Sequence, residues 1–168
     1  RWEGQYYYVE MLCEKQALES VLKPIADKWH IHFGYNKGYT SASSMYEMSK
    51  RVIKEMYKVK KVVILYFGDH DPSGLDMIRD IKERMVEFLT ECEDPQPFDP
   101  TTVFDDFTVH PLALTKKQIE FFNPPPNPAK FSDPRSKDYV LDHGNVSWEL
   151  DAIDPKTLQQ IAEDGILQ

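Results

Sequence analysis

Two aspartates, Asp69 and Asp71, stand two residues apart in the segment KVVILYFGDHDPSG, residues 61–74. The apolar, β-branched run before them reads as a buried strand, and the Pro72, Ser73, Gly74 group after them as its exit into a helix. At such a strand end the two carboxylates face the same way, and like charges held together are costly unless something positive joins them. A divalent cation removes that cost, and hard oxygen donors at an open rim suit Mg²⁺ or Mn²⁺, with water or phosphate completing the shell. A third acid, Glu14, ends an earlier strand-like run, QYYYVEMLC at residues 5–13. Taken singly, DHDPSG also fits a turn with a helix cap, and Glu14 an ordinary acid at a helix start.

Three strand–helix alternations position these acids. Residues 5–13 form the first strand. A helical period over 16–30 follows, with Pro24 expected to bend or divide it. Residues 31–35 make the second strand and 36–40 a loop. Residues 41–57 make a helix with Ser44 and Glu47 at capping-box spacing. The third strand is 62–67, and a helix over 73–90 turns Leu75, Ile78, Ile81, Met85 and Leu89 inward. This alternation predicts an α/β fold, a Rossmann-like parallel sheet flanked by helices. Beyond a proline-containing acidic loop over 91–100, a fourth strand over 107–112, a short helix over 115–121, an irregular proline-rich stretch over 123–134, a last strand over 146–150 and a terminal helix over 155–166 complete the reading. In doubly wound sheets the first and third strands lie side by side, and ligands bind where the order reverses. On that topology Glu14 and the Asp69–Asp71 pair meet at one rim.

The bulk numbers set limits. The chain has 168 residues, 41% hydrophobic and 12% aromatic, enough for one domain with a genuine core. No apolar run reaches the roughly 20 residues that span a bilayer, so no membrane partner is expected. Two cysteines, Cys13 and Cys92, are too few for a disulfide framework and point to a reducing, cytoplasmic setting. The first residue is Arg1 rather than methionine, which reads as a piece of a longer protein. The formal charge of −8 is unusual for a nucleic-acid binder, so metal ions or another part of the protein would have to supply positive charge.

The order EK…GYTS…GDHDPSG resembles the Toprim domain shared by topoisomerases, DnaG-type primases and several nucleases, and most of all that of the topoisomerase VI A subunit and its meiotic double-strand-break relatives. The resemblance covers roughly residues 5–115 of a single Toprim-like domain, with 116–168 as a C-terminal extension whose WELDA and FNPPPNPAKFSDPR segments look like those of stand-alone or phage-type relatives. It implies Mg²⁺-dependent chemistry on nucleic-acid phosphodiester bonds, topoisomerase- or nuclease-like, in a prokaryotic, archaeal or phage-type cytoplasm. DNA is the implied partner and RNA stays open. A homodimer is implied, since relatives that cut both strands act in pairs. Asp69 and Asp71 would hold the cation, and Glu14 would share it or act as general acid/base. In that family the attacking tyrosine lies on a separate winged-helix domain, which these residues do not include.

Other residues are weighed on the same terms. Lys15, Lys37 and Lys130 are candidate phosphate contacts or else solvated lysines. Glu149 and Asp151 repeat the two-residue spacing and form either a second acidic site or a turn before Pro155. His70 should point away from its flanking aspartates and act structurally. His30 and His32 lack cysteine partners at zinc spacing. Tyr6, Tyr7 and Tyr8 alternate along a strand and are read as packing, and Cys13 as a small buried hydrophobe. Three rival functions remain: an aspartyl-phosphate enzyme or receiver domain, which would want an aspartate where Glu14 stands; a primase-like polymerase, for which no basic cluster is visible; and a non-catalytic metal-binding module of a larger DNA-processing protein.

Overall fold

A computed structural model describes residues 4–35, 42–58, 60–91, 98–99, 103, 105–128 and 136–168. Strands β1 (Tyr7–Cys13), β2 (His32–Tyr35), β3 (Lys61–Phe67) and β4 (Phe107–Ala113) form one parallel sheet in the order β2-β1-β3-β4. The architecture is α/β and Rossmann-like, as the alternation predicts. The central strands β1 and β3 run in step from Tyr7 opposite Lys61 to Cys13 opposite Phe67. Residues 10–13 and 64–67 are buried without interruption, because helices cover both faces. Pro111 has no N–H to give to a ladder and sits on β4, an edge strand where that loss is tolerated.

Side-chain parity along β1 and β3 divides the core in two. Tyr8, Leu12, Val62, Ile64, Tyr66 and Phe107 pack with α2 (Ala42–Met56) and α3 (Pro72–Thr90). Met11, Cys13, Leu65, Phe67 and Ala113 pack on the other face with α1 (Glu19–Trp29) and the terminal helix α6 (Pro155–Leu167). Leu150, Ile153, Leu158 and Ala162 belong to this second cluster, and α6 lies against α1. The last third of the chain therefore completes one face of the core.

Several local readings change. Pro24 does not divide α1; it lies inside it, exposed, where water can take the freed Ser20 carbonyl. The break comes earlier, where a short 3₁₀ turn over Gln16–Leu18 passes into α1. Ser44 lies within α2 and cannot cap it. On α3 the inward face includes Met77, while Leu75 and Ile78 are half-buried. The expected last strand shrinks to β6 (Val146–Ser147), paired antiparallel with β5 (Asn127–Pro128) in the proline-rich stretch. The helix α4 (Lys116–Phe122) opens with a complete Thr115–Gln118 capping box, and α5 (Ser136–His143) is a helix the periodicity does not reveal. Among the described residues no helix is long and apolar enough to cross a membrane.

Candidate functional site at the sheet rim

The carboxyl ends of β1 and β3 are tied together beyond their last paired residues. Glu14 N–H donates to the Phe67 carbonyl at 2.7 Å, which carries the ladder one residue past β1. Gly68 continues β3 along β4, its N–H on the Ala113 carbonyl and its carbonyl accepting from Leu114 N–H, both at 2.8 Å. The chain then turns through Asp69, His70 and Asp71 into α3. Two close approaches require glycine there. A Cβ on Gly68 would stand 2.5 Å from the Tyr66 ring, and one on Gly74 would stand 2.2 Å from the Asp69 carbonyl oxygen.

Three acids meet on this turn. Glu14 Oε2 accepts the Asp69 N–H at 3.0 Å and the Tyr66 O–H at 3.3 Å. Asp69 Oδ1 accepts the Leu150 N–H at 2.7 Å. Asp71 Oδ1 caps α3, accepting the Gly74 N–H at 2.7 Å and the Ser73 O–H at 2.9 Å. The cap reading of DHDPSG is thus true of Asp71. Each carboxylate commits one oxygen to fixed donors, and its other oxygen has no hydrogen-bond partner among the described residues.

The electrostatics are short of positive charge. Burial raises the Glu14 carboxyl above its ordinary range; the Asp69 N–H opposes this, and the charges of Asp69 and Asp71 add to it. Burial likewise raises Asp69, against the Leu150 N–H and the Lys15 ammonium. Lys15 does not relieve the rim because it is shared. Its Nζ lies 3.1 Å from Asp69 Oδ1, 2.9 Å from Asp151 Oδ1 and 3.3 Å from Glu149 Oε2. Burial pulls the Lys15 pKa down, but the Asp151 hydrogen bond and the Asp69 charge outweigh it and hold the ammonium above the usual lysine range. Asp151 is lowered, the Lys15 contact overcoming its desolvation.

Glu149 and Asp151 do approach the first acids, joined to Asp69 through Lys15. Glu149 immediately precedes a short 3₁₀ turn over Leu150–Ala152 and Asp151 lies inside it; the cap before Pro155 is Asp154 instead. Lys15 itself is ion-paired, not a solvated lysine. Lys37 and Lys130, and the GYTS segment at residues 38–41, lie outside the described residues. His70 bonds through its ring to groups other than the three acids, in keeping with the structural role expected for it. It is buried, with Nδ1 3.1 Å from the Leu114 carbonyl and Nε2 3.4 Å from His143 Nδ1. Its backbone pairs antiparallel with Trp148, and Tyr139 O–H reaches its carbonyl at 2.8 Å. Burial lowers its pKa, which suits a neutral structural imidazole. The sequence reading misses Tyr66 and the Leu150 N–H as rim contacts. Tyr66 was accessible to it by parity: in a register-matched parallel pair, residues 66 and 14 fall on the same face.

Among the described residues no three His, Cys, Asp or Glu side chains form a ready metal cage. Mg²⁺ does not demand one, since it characteristically takes one or two carboxylates and fills its octahedron with water and substrate phosphate. One or two of Glu14, Asp69 and Asp71, each with an uncommitted oxygen, would suffice for that habit. Comparison with protein-family models, curated proteins and solved structures finds no match to this chain.

Proposed function

We propose that this chain performs Mg²⁺-dependent chemistry on nucleic-acid phosphodiester bonds, in the manner of the Toprim domain it resembles. One observation carries the reading: the Asp69 N–H bonds to Glu14 Oε2, so the acid after the first strand and the pair after the third occupy one rim. Glu14, Asp69 and Asp71 are the residues that would hold Mg²⁺ or Mn²⁺. When bound, the cation supplies neutralisation of the phosphate and stabilisation of the developing oxyanion. Glu14 contributes more than a ligand. Its raised pKa lets it hold a proton that an exposed glutamate would lose, as a group exchanging a proton with the scissile oxygen needs. Tyr66 and the Asp69 N–H fix the Glu14 carboxylate in place for that exchange. DNA is the substrate proposed first, with RNA as the competing polymer. Strand transfer would take its tyrosine from a winged-helix domain elsewhere, and cutting both strands would take two copies of this chain. A reducing cytoplasm suits Cys13, a buried free thiol.

The test is cleavage or relaxation of supercoiled plasmid in Mg²⁺ and in Mn²⁺, with Asp69→Asn and Glu14→Gln beside the parent. The reading expects metal-dependent product from the parent and a loss of at least about a hundredfold in each variant. Equal activity in the variants would remove the site.

The second reading, a non-catalytic module of a larger DNA-processing protein, is favoured by the Lys15 network. An ammonium within 3.3 Å of three carboxylates gives the rim a purely structural use. No cleavage, no relaxation and no DNA binding by the parent would favour it.

A further inference from the structure

Lys15 stands where two groups of acids meet. Asp69 belongs to the rim proper, and its Oδ1 is pinned by the Leu150 N–H. Glu149 and Asp151 belong to the C-terminal segment laid across that rim by the His70–Trp148 bridge. Lys15 spans both, with 21% of its side chain exposed against 14% for Asp69. We propose that Lys15 is the tethered counter-ion of the rim: a divalent cation displaces its ammonium from Asp69, and Glu149 and Asp151 keep it.

The inference rests on the proposed metal site and concerns how that site is regulated. An ammonium 3.1 Å from Asp69 Oδ1 and a divalent cation on the same carboxylate's free oxygen repel each other at short range. A lysine held by Asp69 alone would have to leave into solvent. Lys15 gives up one carboxylate of three and keeps the nearest, Asp151 at 2.9 Å. Its flexible four-carbon stem allows such a shift without backbone movement. Lys15 stays charged throughout, so no proton changes hands. The C-terminal segment thereby becomes part of the metal equilibrium although it contributes no ligand.

The test reads metal occupancy directly. Mn²⁺ binding to the whole chain is followed by the loss of the free-ion paramagnetic resonance signal. Four proteins are compared: the parent, Lys15→Gln, the pair Glu149→Gln with Asp151→Asn, and all three changes together. Lys15→Gln should tighten Mn²⁺ binding about tenfold by removing the competitor. The acidic pair change should weaken it, because Lys15 loses its second seat and stays on Asp69. In the triple variant the pair change should lose most of its effect. Simple long-range attraction predicts instead that the pair change costs the same with or without Lys15, and that additive result would overturn the proposal. So would unchanged binding in Lys15→Gln. Asp69→Asn separates this outcome from failure of the site: if the parent binds Mn²⁺ and Asp69→Asn does not, the metal reading stands while the Lys15 role falls. If neither the parent nor Lys15→Gln binds, both fall. Should Lys15→Gln misfold, the Lys15 Nζ resonance of the isotope-labelled parent decides, since it must shift in step with Mg²⁺ occupancy; a resonance unmoved at saturation overturns the proposal.

Discussion

Glu14 holds the backbone of Asp69. Its Oε2 accepts the Asp69 N–H at 3.0 Å, so a candidate catalytic side chain also fastens β1 to the turn after β3. A neutral amide can make the same bond without the charge. Burial raises the Glu14 pKa above its ordinary 4.5, so the folded state binds this proton more tightly than the unfolded chain. Stability is therefore lost as pH climbs from 4.5 through the folded value. Glu14→Gln should be more stable than the parent at pH 7 in metal-free buffer, by urea unfolding. The difference should vanish below pH 4.5, where both side chains are neutral. A less stable Gln variant at pH 7 would show that the carboxylate's charge is satisfied in the fold.

Gly74 sits under Asp69. A methyl group there would lie 2.2 Å from the Asp69 carbonyl oxygen, a backbone atom that cannot swing aside. Gly74→Ala must push the first turn of α3 from the rim, straining the Asp71 cap and the Glu14–Asp69 bond together. We expect a cost of about 1–3 kcal/mol, the usual range for overpacking, and weaker Mn²⁺ binding in the folded fraction. Gly165 is the internal control. The nearest atoms to its added methyl belong to the Leu112 side chain rather than to any rim acid, so Gly165→Ala should leave Mn²⁺ binding unchanged.

These two contacts mark how far the sequence could be read. The parallel sheet and the meeting of β1 with β3 were legible because alternating periods and short connections leave few topologies. Asp69 and Asp71 were legible because a buried apolar run ends on them. The Lys15 network was not, although Lys15, Glu149 and Asp151 were all noticed. Its geometry depends on where the C-terminal segment crosses the rim, and a two-residue strand with one backbone bridge leaves almost no periodic signal. Pro24 misled for the opposite reason. Local chemistry argued for a break, but an exposed Pro24 leaves its freed carbonyl to water and the helix runs on.

Glu10 is an acid inside the apolar run QYYYVEMLC, and in the fold it is 1% exposed. Arg51 holds it with two bonds, Nε to Oε1 at 2.7 Å and Nη2 to Oε2 at 3.0 Å, and Tyr8 O–H adds a third at 2.8 Å. Arg51→Ala strands that carboxylate in the core and should cost about 3 kcal/mol, near the lower end for such pairs because Arg51 stays 32% exposed. The double change Glu10→Met with Arg51→Met should recover most of the loss in urea unfolding. A double variant as unstable as Arg51→Ala would mean that packing, not the stranded charge, sets the penalty.

Cys13 should be chemically silent. Burial first, then the charges of Glu14 and Asp69, push its thiol from 9.0 up to about 12, despite the Lys15 contacts. The thiolate is the reactive form, so the folded chain should resist iodoacetamide at pH 8 and react once urea exposes the residue. Cys92→Ser isolates the signal. The same shift makes folding less favourable as pH rises from 9.0 toward 12, because only the unfolded chain releases the proton. Rapid alkylation of the folded protein at pH 8 would show that Cys13 reaches solvent.

Asp71 carries two roles that one substitution can separate. Its Oδ1 caps α3 through the Gly74 N–H at 2.7 Å, and its other oxygen is a proposed cation ligand. Asp71→Ala removes both and should cost about 1 kcal/mol in unfolding free energy, the usual value of an N-cap. Serine caps helices nearly as well as aspartate but offers a cation no carboxylate. Asp71→Ser should therefore regain most of the stability while binding Mn²⁺ more weakly than the parent and leaving plasmid cleavage as impaired as in Asp71→Ala. If Asp71→Ser restores stability and cleavage together, Asp71 is only a cap, and the metal site contracts to Glu14 and Asp69.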